Sequence, residues 1–124
     1  MAKRRMFSIE VMESDAFCML PASAQNLYLH LCMNADDDGF VDKWKSILRY
    51  LKIKSSMLDL LIETEYIINF GDEVLLISDW SRHNVIKLDR YAKSSYHHLL
   101  DTVQTYANGR YFKASEVFLD PQYK

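Results

Sequence analysis

The spacing of apolar residues predicts a first helix over residues 22–35. From Ala24 onward the apolar positions recur with the period of about 3.6 residues that places them on one side of a helix. The pattern stops at three consecutive aspartates and Gly39, which tolerates positive φ and so favours a turn. Upstream, residues 7–11 alternate apolar and polar, which predicts a short extended segment, and Ser14 is placed to cap a single helical turn.

Two shorter helices are predicted next, at residues 43–51 and 57–65. Asp42 is a favourable N-cap for the first of them, and Ser56 with Asp59 has the form of a capping box for the other. Only a few residues separate the two helices, which is the connection length of a helix-turn-helix.

A β-hairpin follows the helices in the pattern. Residues 66–70 and 74–77 are rich in β-branched and aromatic side chains and flank a turn that contains Gly71. The apolar pair at 40–41 forms a stub of strand that can join the sheet of the hairpin. Beyond the hairpin, apolar residues near helical spacing predict a further helix over residues 86–105.

This order of elements predicts an α+β fold, mainly α: a winged helix-turn-helix with three helices, a β-hairpin wing and an additional C-terminal helix. The length of 124 residues fits about one domain, and an apolar content of 49% is ordinary for a globular chain. The sequence has no apolar run of about 18 residues and no signal-peptide pattern, so we expect a cytoplasmic protein without membrane contact.

The net charge of −2 conceals blocks of opposite sign. Residues 43–54 carry five bases and no acid, residues 55–79 carry six acids and no base, and residues 80–98 carry a net charge of +3. Blocks of this kind allow surfaces of a single sign on the folded protein. The overall charge therefore does not exclude binding to nucleic acid.

Motifs for catalysis and metal binding are missing from the sequence. It has no nucleophile elbow, glycine-rich phosphate loop or zinc-ligand spacing, so we expect no enzyme activity, cofactor or metal. The three aspartates before Gly39 lack the alternation of a calcium loop and its twelfth-position glutamate, where Ile47 stands. They are interpreted as a helix-end turn that accepts local backbone N–H groups. Cys18 and Cys32 are interpreted as buried thiols, with a disulfide or redox pair as the alternative.

Several short segments occur together in a recognisable order. Those of the first half are Lys3-Arg4-Arg5-Met6-Phe7-Ser8, Asp15-Ala16-Phe17, Leu20-Pro21, Ala24-Gln25-x-Leu27-Tyr28-x-His30-Leu31 and Ala35-Asp36-Asp37-Asp38-Gly39-Phe40-Val41. Those of the second half are Ile77-x-Asp79-Trp80, His83-Asn84-x-Ile86 and Asp89-Arg90-Tyr91. The combination resembles the N-terminal domain of phage replisome organisers, which are DnaD-like replication initiation proteins of phages and prophages in Gram-positive bacteria.

The resemblance implies a winged-helix domain at residues 1–96 that acts in DNA replication initiation through origin binding and self-association in the bacterial cytoplasm. The implied partners are duplex DNA, further copies of the chain and the replicative helicase or its loader. Family members usually continue through a linker into a second, helical domain, on which contact with the loader depends. The likeness ends near residue 96. Residues 97–124 are therefore interpreted as an extension, helical in part, of either a fragment or a shortened member.

Basic side chains make up the candidate DNA interface. Cations contact phosphates, and each neutralised phosphate adds salt-dependent affinity. The candidates lie in an N-terminal arm, on and just after the second helix, and after the hairpin: Lys3, Arg4, Arg5, Lys43, Lys45, Arg49, Lys52, Lys54, Arg82, Lys87, Arg90 and Lys93. The alternative for these residues is a solvated surface without a ligand.

The third helix carries acids where a helix-turn-helix would read bases. Asp59, Glu63 and Glu65 repel phosphates, so DNA contact is expected instead from the turn at residues 52–54, the arm and the segment after the hairpin. The acids can also meet basic patches of another copy. Two other functions therefore stand beside replication initiation. One is a protein-interaction or oligomerisation winged helix with little DNA binding, in which the aromatic residues of 106–118 adhere to a partner. The other is a transcriptional regulator.

Overall fold

The computed structural model describes residues 4–71 and 73–113, which form a small α+β domain. Its helices are α1 (Ile9–Met12), α2 (Asp15–Cys18), α3 (Ala22–Met33), α4 (Trp44–Leu51), α5 (Ser55–Glu63), α6 (Trp80–His83) and a 3₁₀ helix (His97–Thr102). Its strands are β1 (Phe40–Val41), β2 (Ile67–Asn69), β3 (Leu75–Ile77), β4 (Val103–Thr105) and β5 (Tyr111–Lys113).

The N-terminal elements agree with the pattern from Ser14 onward. The Ser14 hydroxyl accepts the backbone N–H of Phe17 at 3.3 Å and so caps α2, as expected. Helix α3 falls within the predicted range. The extended segment predicted over residues 7–11 is wrong, because the chain turns into α1 there and buries Val11.

Helices α4 and α5 lie where the pattern predicts them, but neither uses its predicted cap. Lys43 precedes α4 and Lys54 precedes α5, and neither helix start has a side-chain cap hydrogen bond. The turn between them is defined by Lys52, whose φ of 56° lies in the left-handed region. Its neighbour Ile53 donates its N–H to the carbonyl oxygen of Leu48 at 3.2 Å, which closes the end of α4.

The sheet of three strands confirms the hairpin and the stub. Strand order is β1-β3-β2, with both pairs antiparallel. Leu76 of β3 therefore lies between Phe40 of β1 and Ile68 of β2. The turn of the hairpin includes Gly71, whose φ of 88° requires the conformational freedom of glycine.

The core consists of two apolar clusters. The larger one forms around α3, where Leu27, Tyr28 and Leu31 are fully buried against the other helices and one side of the sheet. The smaller one covers the other side of the sheet, where Phe40 and Leu76 pack against residues 96–103 and Tyr111. Residues after 96 thus contribute to the same buried core as the sheet.

The helix predicted over residues 86–105 is wrong. The chain instead forms a loop, the 3₁₀ helix and the hairpin of β4 with β5. The apolar position at Leu88 does not face the core, because its side chain is 91% exposed. Residues 91–97 are held by long-range hydrogen bonds to the turn before β1, which local spacing does not encode. Part of the extension assigned to 97–124, residues 114–124, lies outside the described residues.

Candidate nucleic-acid interface

Helix α4 separates apolar and basic side chains. Ile47 is buried, and Trp44, Leu48 and Leu51 pack against the same core. Five exposed basic side chains lie on α4 or directly before and after it: Lys43, Lys45, Arg49, Lys52 and Lys54. Lys45 and Arg49, four positions apart, share one face of α4, opposite the apolar side chains, whereas the other three cations lie before and after the helix. Exposed cations of this kind can contact the phosphates of a nucleic-acid backbone. We call these five residues the α4 cation group.

Trp44 contacts Lys45, a member of the α4 cation group. The ammonium of Lys45 lies 5.3 Å from the centre of the Trp44 ring, a cation–π distance. The indole Nε1 of Trp44 is buried and has no hydrogen-bond partner among the described residues. The aromatic ring thus supports the position of Lys45, while the Lys45 charge stays exposed to solvent.

Helix α5 carries the opposite charge on its exposed surface. Asp59 and Glu63 are exposed, together with Ser55 and Ser56 at its start, and the helix contains no basic residue. Carboxylates at these positions oppose the approach of phosphates. Of the helix pair, α4 and the turn therefore present the surface suited to an anionic ligand.

The three aspartates before β1 form a hydrogen-bonded turn, as interpreted from the sequence. One carboxylate oxygen of Asp36 accepts the backbone N–H groups of Asp38 and Phe40, both at 3.0 Å. Gly39 completes the turn with a φ of 91°. The described residues contain no cluster of three or more His, Cys, Asp or Glu side chains arranged to hold a metal ion.

The same turn binds residues 91–97, which sequence reasoning missed. The Tyr91 hydroxyl donates to the Asp38 carboxylate at 2.7 Å, and the Ser94 N–H donates to it at 2.9 Å. The Nδ1 of His97 lies 3.0 Å from the same carboxylate, and the Ser94 hydroxyl bonds to Asp36. Burial alone would raise the pKa of Asp38, but the hydrogen bonds from Tyr91, Ser94 and His97 together lower it.

Arg5 is part of the fold. Its side chain is 4% exposed, and its guanidinium donates to the Asp37 carboxylate at 3.1 Å and to the Ala35 carbonyl oxygen at 2.7 Å. The guanidinium also lies 5.1 Å from the centre of the Trp80 ring. Its donors are thus directed inward, away from any ligand. Arg4 is exposed, and the candidate Lys3 lies outside the described residues.

The candidates after the hairpin divide into two kinds. Arg82 is engaged within the protein, at 3.1 Å from the buried Asp79 carboxylate and 3.2 Å from Glu10. Lys87, Arg90 and Lys93 are exposed. Five of the candidates are therefore exposed on α4 and the segments that flank it, Arg4 and three further candidates are exposed in the arm and the loop after the hairpin, and Arg5 and Arg82 form ion pairs within the protein.

His83 connects the start of the chain to α3. Its Nδ1 accepts the Ser8 N–H at 2.8 Å, so the neutral ring carries its hydrogen on Nε2, 2.7 Å from the Tyr28 hydroxyl oxygen. Burial is the main cause that lowers the pKa of His83 and favours this neutral ring. His83 is thus a structural residue, and its isolated position in the sequence carries no signal of this role.

The two cysteines differ in environment. Cys32 is buried, as interpreted from the sequence, and its burial raises the pKa of its thiol. Cys18 is exposed, so the interpretation of a buried thiol is wrong there. Both thiols are free in the described part of the chain.

Comparison with known proteins adds no assignment: no family model, curated protein or solved structure matches this chain. Among the residues that the structure describes, no helix has the length and apolar character needed to cross a membrane. The functional interpretation therefore rests on the α4 cation group and its surroundings.

Proposed function

We propose that this chain is a DNA-binding module of phage or prophage replication initiation, of the replisome-organiser type. It binds duplex DNA through phosphate contacts, without catalysis, and associates with further copies of itself in the bacterial cytoplasm. The observation that carries the DNA-binding part is the α4 cation group, five exposed basic residues on α4 and in the segments that flank it. The replication part comes from the sequence resemblance.

The arrangement of elements supports a winged-helix interpretation. Helix α3, strand β1, helices α4 and α5, and the hairpin of β2 and β3 follow in that order, and β1 pairs with β3. Short connections join α4 to α5 and α5 to the hairpin, as in helix-turn-helix domains that add a wing. In this interpretation β2 and β3 are the wing.

The charges favour binding without sequence readout. A recognition helix in the major groove needs donors for base edges, whereas the exposed Asp59 and Glu63 of α5 are acceptors near an anionic backbone. Contacts to phosphates carry affinity and register but no sequence information. We therefore expect micromolar or weaker binding that depends steeply on salt and little on sequence.

The experiment compares two double variants with equal changes in net charge. Lys45→Gln with Arg49→Gln removes two charges from the α4 cation group. Asn26→Asp with Gln104→Glu alters the charge equally at exposed positions on α3 and β4. Binding of each protein to a fluorescent duplex is titrated by anisotropy at several salt concentrations.

The logarithm of the binding constant falls as the logarithm of the salt concentration rises, and each phosphate contact adds about 0.9 to the steepness of this fall. Loss of two contacts therefore makes the slope shallower by about 1.8. We expect this change for the α4 variant and a slope near that of the unmodified protein for the control. Equal slopes in all three proteins refute the proposed interface. If the slope becomes equally shallow in both variants, binding depends on net charge alone, which also refutes the proposed interface.

A protein-interaction module is the second candidate, and the acidic exposed surface of α5 favours it. That surface suits a basic protein partner better than a nucleic acid. Undetectable DNA binding at low salt, combined with self-association in solution, would replace the first proposal with this one.

A further inference from the structure

The N-terminal arm and the loop after α6, which a hydrogen bond joins, carry exposed apolar and basic side chains. Val85 is 81% exposed, Leu88 is 91% exposed, and Met6 is 53% exposed. The basic residues Lys87 and Arg90 of the same loop are also exposed, as is the acidic Asp89 between them, so residues 85–90 carry a net charge of +1. We call this the arm–loop surface, and it consists of Met6, Val85, Lys87, Leu88 and Arg90.

The arm–loop surface is held in place from both sides. The Met6 N–H donates to the side-chain oxygen of Asn84 at 2.9 Å, which joins the arm to the start of the loop. The Arg90 N–H donates to the Lys87 carbonyl oxygen at 2.9 Å and closes a tight turn with Leu88 near its tip. At the end of the loop, the Ala92 N–H donates to Asp37 at 2.9 Å. A preorganised surface loses little entropy when it binds.

Exposed apolar side chains grouped with cations indicate a partner with the complementary combination. Duplex DNA offers anionic charge on its surface, but the apolar side chains would find no matching exposed apolar surface there. The exposed surface of α5 offers acids beside serines. Residues 116–120 of this chain, which lie outside the described residues, read Glu-Val-Phe-Leu-Asp, with three apolar residues between two acids.

We propose that residues 116–120 of a second copy of the chain dock on the arm–loop surface. The three apolar residues of the segment cover the apolar side chains of the surface, and its two acids pair with the two cations. Burial of the apolar groups supplies most of the affinity, and the charge pairs set the partner and the register. This inference specifies the self-association in the proposed function and is independent of the α4 cation group.

The described part of the chain ends on a different edge of the sheet from the one that holds the loop. Strand β5 ends at Lys113, whose ammonium donates to the carbonyl oxygen of Asn69 at the end of β2. The arm–loop surface is anchored through Asp37 beyond the start of β1, at the opposite edge and opposite end of the sheet. An exchange of charges between two copies distinguishes docking on a second copy from docking within one chain.

The test is an exchange of charges between the two sides of the contact. The surface variant carries Lys87→Glu and Arg90→Glu, and the segment variant carries Glu116→Lys and Asp120→Lys. Sedimentation equilibrium of the full chain measures self-association of each variant alone and of the two mixed. We expect each variant alone to associate at least 10-fold more weakly than the unmodified protein, because like charges face each other.

Mixing the two variants restores the opposite charges on both kinds of contact, so the mixture is expected to associate as tightly as the unmodified protein. Docking within one chain predicts no such restoration. The control variant carries Lys45→Glu and Arg49→Glu, which change the net charge as much as the surface variant does, but on α4. We expect this control to associate as tightly as the unmodified protein. A monomeric unmodified protein at millimolar concentration, unchanged association of either charge variant, or a mixture that fails to associate would overturn the inference. DNA binding measured in parallel reports on the α4 cation group separately.

Discussion

Gly39 should tolerate no side chain, and the structure allows the cost to be divided into two parts. A Cβ at this position would lie 2.6 Å from Cγ of Trp80, a side chain that is 3% exposed and donates its Nε1–H to the Asp37 carbonyl oxygen at 2.9 Å. The backbone φ of 91° adds strain for any other residue. We expect Gly39→Ala to lose about 1–3 kcal/mol through the backbone. Overpacking against the indole should add about 1–3 kcal/mol.

Gly71 provides the matched control for this substitution. Its φ of 88° is nearly the same, but among the described residues, apart from its chain neighbours, no atom lies within 4 Å of the position that a Cβ would take. Gly71→Ala therefore carries the backbone cost without the clash. Urea unfolding followed by circular dichroism gives both free energies, and we expect Gly39→Ala to be the less stable variant by about 1–3 kcal/mol. Equal losses of unfolding free energy in the two variants would show that the Trp80 ring moves aside without cost, which would refute the predicted overpacking at Gly39.

Three further predictions concern buried groups. Since the pKa of His83 is lowered on folding, the free energy of unfolding should be fully maintained above about pH 6.5 and fall as the pH drops below it. A His83→Gln variant should show a smaller fall in the same titration, and identical curves would contradict this. Asp37→Asn should destabilise the protein by about 3–5 kcal/mol in urea unfolding, because it leaves the buried Arg5 guanidinium without its carboxylate; a loss below about 1 kcal/mol would show that the pair is dispensable. Ellman's reagent should modify Cys18 rapidly in the native protein and Cys32 only after unfolding, whereas two equally fast thiols would disprove the burial of Cys32.

The parts of the fold that were predictable are those encoded by neighbouring residues. The period of α3, the apolar stripe of α4 and the turn at Gly71 each act within about ten positions of sequence, and these elements were found where expected. The helix predicted over residues 86–105 does not form, because the near-helical spacing of apolar residues there does not correspond to a buried helix face. The backbone and side chains of residues 91–97 instead bond to aspartates more than fifty positions earlier.

The candidate interface was predictable to a similar extent. Exposed cations on α4 follow from helical spacing alone, and the structure places them there. Arg5 and Arg82 could not be distinguished from them in the sequence, because a charge count does not reveal the buried carboxylates of Asp37 and Asp79. The arm–loop surface was also unpredictable, since it depends on the contact between residues 6 and 84.

The contact between the arm and the loop has a consequence for synthesis of the protein. Met6 and its partner Asn84 are 78 residues apart in the chain. A ribosome that adds about 5–20 residues per second needs about 4–16 s to reach that partner. During this interval Arg5 can already pair with Ala35 and Asp37, and α3 can form from local contacts, but Met6 and Ser8 still lack their partners Asn84 and His83. Docking of Met6 and Ser8 is therefore completed late, after residues 83 and 84 have been translated.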